Sequence, residues 1–89
     1  MEFWIAEIRF APEVEAKIKE KHQLTPARVR EAVALGAADR AGWHTDPAYG
    51  RRLIATGRDA DGCEIDVYLR PVDRDEEIWE CLTAIPWER

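Results

Sequence analysis

A chain of 89 residues, 46% hydrophobic and 35% charged, is sized for one small core and excludes a second domain. Its net charge of −5 is unevenly placed: residues 1–58 carry ten basic and eight acidic side chains (+2), and residues 59–89 carry three basic and ten acidic (−7). The last third is therefore a poor surface for phosphate, and any contact with nucleic acid is expected from the first two thirds.

The segment 3–10 alternates, with Trp4, Ala6, Ile8 and Phe10 on one face and Glu7 and Arg9 on the other, which predicts a strand. Ala11-Pro12 then opens a helix, since proline suits a first turn. Glu13 and Glu15 suit its positive end, Lys17, Lys19 and Lys21 its negative end, and Val14, Ile18 and His22 share a face at a spacing of four. Thr25-Pro26 restarts the helix as an N-cap and first position, with a stripe of Val29, Ala32, Val33, Gly36 and Ala37. The pair reads as a helical hairpin turning at His22 to Leu24, its second helix ending between Leu35 and Arg40.

Gly36 to Gly50 reads as the longest irregular stretch, and long loops in compact domains are often functional. Three strands follow: 52–58, 63–70 and 78–85. Asp59-Ala60-Asp61-Gly62 is a turn signal between the first two, and Pro71 to Glu77 a charged turn between the others. In the last strand, Ile78, Leu82 and Ala84 are expected opposite Trp79, Cys81 and Ile85. The expected fold is a single α+β domain over 1–89, two-layered in the order β-α-α-β-β-β. A helical hairpin would pack on a four-stranded, mainly antiparallel sheet.

No apolar run approaches the ~20 residues that span a bilayer. Met1-Glu2-Phe3-Trp4-Ile5 lacks the basic region and cleavage site of a secretory signal, so a cytoplasmic protein with no membrane contact is expected. Cys63 and Cys81 lack metal spacing and read as reduced thiols. No spacing suits zinc, calcium or a phosphate-cradling glycine loop, so neither metal nor cofactor is expected. The chain contains no serine, which closes a serine-nucleophile route.

Several stretches together resemble one family. They are Lys21-His22-Gln23-Leu24-Thr25-Pro26 with the helix start to Ala32, Asp46-Pro47, Arg51 to Arg58, and Val67-Tyr68. In that order they resemble the BrnT branch of the RelE-like toxin superfamily, with its Lys-His-Gly-(Val/Leu) turn, Asp-Pro loop, Arg-x-Ile-Ala-x-Gly strand and Val-Val-Tyr strand. The likeness covers roughly residues 3–84. It implies the toxin of a type II toxin–antitoxin system, a metal-independent endoribonuclease that cleaves mRNA. It also implies a cognate DNA-binding antitoxin, of the ribbon-helix-helix type, as partner. The family's last strand reads Ile-Ser-Ala-Arg and runs into a basic tail, whereas this chain has Cys81-Leu82-Thr83-Ala84-Ile85-Pro86. The alternative is thus a catalytically silent interaction module on the same fold, binding a basic partner through its acidic last third.

Cleaving RNA needs a base near the ribose 2′-OH, an acid near the leaving oxygen and positive charge at the phosphate. Histidine suits the proton transfer and arginine the phosphate. The catalytic candidates are accordingly His44, His22 and Arg52, and the candidates for binding RNA or phosphate are Arg51, Arg58, Trp43 and Tyr49. Arg51 and Arg52 would point to opposite faces of an extended strand, while Arg52 and Arg58 would share one. Trp43 and Tyr49 are open to two readings, stacking on bases or plugging the edge of the sheet.

Overall fold

The computed structural model describes residues 4–48, 50–73 and 75–87. A short strand β1 (Glu7–Arg9) leads into helices α1 (Pro12–His22) and α2 (Pro26–Val33), the second extended by a 3-10 turn, Ala34–Gly36. Strands β2 (Arg40–Asp46), β3 (Gly50–Arg58), β4 (Glu64–Asp73) and β5 (Ile78–Pro86) follow. The sheet order is β1-β5-β4-β3-β2. β1 runs parallel to β5, and every other neighbouring pair is antiparallel.

The class is α+β as expected, but the sheet has five strands rather than four. The fifth is β2, which occupies the stretch read as irregular. Its seven residues pair with β3 without a break, from Arg40 opposite Thr56 to Asp46 opposite Gly50. Other boundaries move less. β1 is limited to three residues, with Ile5 and Ile8 buried and Trp4 and Ala6 exposed, so the alternation does not extend through 3–10; Phe3 lies outside the described residues. β4 runs on to Asp73, into the segment read as a turn.

The helices form where their ends are satisfied. Pro12 sits in the first turn of α1. At its other end Gln23 adopts a left-handed conformation (φ 56°), its amide donating to the Lys19 carbonyl while that of Leu24 donates to Ile18. This closes the helix as a glycine usually does. Thr25 caps α2, its hydroxyl oxygen accepting from the Arg28 amide at 3.3 Å.

Both helices lie on one face of the sheet. The core between the layers holds Ile18, Val29, Ala32 and Val33 from the helices, and Leu53, Ala55, Ile65, Val67, Leu69, Trp79, Cys81 and Ala84 from the strands. A bulge leaves Leu82 unpaired, because Tyr68 faces Thr83 and Leu69 faces Cys81. The phase of β5 therefore changes midway. Trp79, Cys81 and Ala84 all turn inward, and the expected grouping of Leu82 with Ala84 does not hold.

Two contacts set the distance between the layers. A Cβ placed on Gly57 would stand 1.7 Å from the Ala32 carbonyl oxygen, so the backbone of α2 rests directly on β3. The Asp59 carboxylate, with a side chain 1% exposed, ties the β3–β4 turn to α2. One oxygen accepts from the amides of Asp61 and Cys63, and the other from the Arg28 guanidinium at 3.0 Å. Burial alone would push this carboxyl up; the two amides and Arg28 outweigh it and hold it below its usual range.

Gly57→Ala should cost about 3 kcal/mol or more in chemical denaturation, since no side-chain movement relieves a clash with backbone. A carboxyl whose native value is lowered binds more protons in the unfolded chain, so its contribution is present above the ordinary value of ~3.9 and lost as pH falls below it. Stability followed against pH should therefore drop on acidification below about pH 4, and Asp59→Asn should flatten that part of the curve.

Candidate functional site

Because the helices cover one face, the other face of the sheet is bare among the described residues. Strand alternation decides which side chains stand on it. Leu53 of β3 points into the core, so Arg52, Ile54, Thr56 and Arg58 point away from it. The register then builds rows across the strands. His44 stands opposite Arg52; Gly42, Ile54, Tyr68 and Thr83 follow one another; Arg40, Thr56, Asp66 and Ile85 form the next row; Arg58 faces Glu64.

The row at the β2–β3 end holds the best-fixed cation of this face. Arg52, its side chain 20% exposed, donates to the Asp46 carboxylate at 3.2 Å. Its guanidinium lies over the Tyr68 ring, 4.9 Å from the centroid. Arg52 Nε is buried and has no hydrogen-bond partner among the described residues. Asp46 also accepts from the Ala48 amide at 2.8 Å, so one carboxylate shapes the β2–β3 loop and orients the arginine. The exposed imidazole of His44 is the cross-strand neighbour of Arg52. This places a proton-transfer group beside a planar cation whose fork suits phosphate.

The rest of the bare face is made of pairs. Thr56 donates to Asp66 at 2.6 Å, Arg58 to Glu64 at 3.3 Å, and Arg70 to Glu80. Arg40 lies over the exposed indole of Trp87, 5.1 Å from the ring centroid. The Arg58 and Arg70 pairs and the Arg40–Trp87 contact are exposed, each contributing at most about 1 kcal/mol, whereas Thr56 is buried.

The structure brings His44 and Arg52 together and places the other candidates apart from them. His22 ends α1 in the helical layer, so the sheet lies between the two histidines. Arg51 points to the helical side, 4.3 Å above the Trp43 ring, because adjacent residues of a strand face opposite ways. Trp43 shares that side: its ring is 5.8 Å from Trp79, and together they close the core beyond the helices. Of its two readings, the indole is thus a plug against the sheet and not a platform on the bare face. Arg58 shares the face of Arg52 but lies six residues along the strand, about 20 Å away at ~3.3 Å per residue. Tyr49 lies outside the described residues.

Sequence reasoning did not assign Tyr68, Asp46 or Arg40 to the site. The β3–β4 register sets Tyr68 beside Ile54, and its ring supports Arg52. Among the described residues, no group of three or more His, Cys, Asp or Glu is placed to hold a metal ion, and no helix is long and apolar enough to cross a membrane. No protein-family model, curated protein or solved structure matches the chain.

The thiols divide sharply. Cys81 is buried in the core, and burial, reinforced by Glu80, pushes it up to about 12; Cys63 is exposed. In the native protein at neutral pH, iodoacetamide should alkylate Cys63 alone, with both thiols reacting after denaturation; mass spectrometry of the two samples checks this.

Proposed function

We propose that the chain is a RelE-like endoribonuclease toxin of the BrnT type, cleaving mRNA on the bare face of the sheet with His44 and Arg52. The observation that carries this reading is their cross-strand pairing on the face of the sheet opposite the two helices. His44 takes the proton from the ribose 2′-OH, and the oxygen so activated attacks the adjacent phosphorus. Arg52, steered by Asp46 and Tyr68, meets the negative charge that grows on the phosphoryl oxygens. A cyclic phosphate forms as the P–O5′ bond breaks and the 5′ oxygen takes a proton from solvent water, while His44 returns its own proton to solvent. Arg58, at the far end of the face, meets another phosphate of the same strand. His22, Arg51 and Trp43, on the helical side, take no part. The natural partner is a DNA-binding antitoxin of the ribbon-helix-helix type that covers this face.

Expression of the chain in a bacterial host should stop growth, and the purified protein should shorten mRNA in the presence of EDTA. His44→Ala should slow cleavage by about 10²–10⁴-fold, and Arg52→Lys, which keeps the charge but loses the fork, by about 10²–10³-fold. Unimpaired growth and intact mRNA with the wild-type chain would overturn the reading.

A second reading is favoured by the pairing of Arg52, Arg58 and Arg70 with carboxylates, which leaves the bare face nearly neutral. On it the domain is a catalytically silent module whose acidic last third takes a basic partner. The exposed acids Asp73, Asp75 and Glu76 at the β4–β5 turn are the docking point. Such a complex weakens with salt and is lost on charge reversal of these three residues. Binding indifferent to both would remove it.

A further inference from the structure

Strand β2 is the outer strand on its side of the sheet, with β3 as its single neighbour among the described residues. Exposed edges invite another strand, and proteins blunt them by shortness, bulges, proline or lysine. The opposite edge, β1, is three residues long. β2 has seven residues in unbroken register and contains neither proline nor lysine.

Its sequence, Arg40-Ala41-Gly42-Trp43-His44-Thr45-Asp46, is complementary to itself when reversed. In an antiparallel pair of two copies centred on Trp43, Arg40 faces Asp46 of the second copy. Ala41 faces Thr45, Gly42 faces His44, and Trp43 faces Trp43. The ion pair occurs twice, and all four of its members stand on the bare face, as the β2–β3 register requires. The arrangement holds no like-charged pair. Centring on Gly42 instead sets Arg40 against His44, and centring on His44 sets the two histidines together and leaves Arg40 unmatched. Only the Trp43 register uses all seven residues and opposes every charge with its complement.

We infer that β2 is the interface through which a second copy of this chain adds, making a continuous ten-stranded sheet with both helical layers on one side. Main-chain hydrogen bonds supply the affinity, and the two Arg40–Asp46 pairs fix the register. Gly42, which has nothing within 4 Å of a Cβ position, stands opposite the partner's His44 and leaves that imidazole uncovered. The inference does not depend on the ribonuclease reading.

Sedimentation velocity tests it. The wild-type chain should sediment at twice its 10.2 kDa mass and dissociate on dilution. Arg40→Asp and Asp46→Arg should each place like charges opposite one another and weaken self-association by about tenfold or more. Mixed in equal amounts, the two variants should restore the dimer, since each then meets its complement. Gly42→Lys, whose Cβ would meet nothing within 4 Å, should also give a monomer. Circular dichroism confirms that each variant is folded; should Asp46→Arg fail to fold, Arg40→Asp and Gly42→Lys decide the question. A wild-type monomer at every concentration, or a dimer that folded variants leave unchanged, would overturn the inference.

Discussion

Gly57 and Ala32 meet where a strand and a helix approach as closely as backbone allows, and much of the architecture follows from that contact. With no side chain on Gly57, α2 settles low enough for Val29 and Val33 to be fully covered by the sheet. At the same height Arg28 reaches Asp59, and the Glu31 carboxylate accepts the Ala60 amide at 3.1 Å. The β3–β4 turn is thereby stitched to the helix from both sides. A layer seated so firmly on one face leaves the other to solvent, which is why polar chemistry gathers there.

On that bare face the side chains organise one another. Asp46 is central: it shapes the loop after β2 and orients Arg52, which in turn rests on Tyr68. A guanidinium held by a carboxylate and a ring loses less freedom on meeting an anion than a free one. The same arrangement keeps the face close to electrically neutral, so the net negative charge of the chain is concentrated in its turns.

Much of the frame is legible in the sequence. Thr25-Pro26 and Asp59 to Gly62 carry turn and cap chemistry that leaves little choice, and β3 and β4 alternate cleanly. β2 is illegible for a physical reason. Its inward positions are Ala41, Trp43 and Thr45, and its outward ones Arg40, Gly42, His44 and Asp46, so the alternation rests on two apolar side chains and is too weak to stand out. An edge strand buries one flank of modest residues and takes its conformation from its neighbour's hydrogen bonds, a tertiary cause that no local window contains. The bulge at Leu82 hides in the same way, since a one-residue insertion reverses every later assignment. The site is half legible: alternation sets Arg51 on the face opposite Arg52 and the helical pattern removes His22 from the strands, but the pairing of His44 with Arg52 needs the register.

The parallel pairing of β1 with β5 has a consequence in time. It joins residue 7 to residue 78, and the Trp79 indole donates to the Trp4 carbonyl across nearly the whole chain. Hairpins such as β2–β3 close over short loops and are quick to form, whereas this clasp must wait for a long loop to be drawn shut. During translation the β2–β3 hairpin can assemble while β5 is still in the ribosome, leaving Ile5 and Ile8 without their cover until the last strand emerges. That interval is when the nascent chain is most exposed to aggregation and to chaperones.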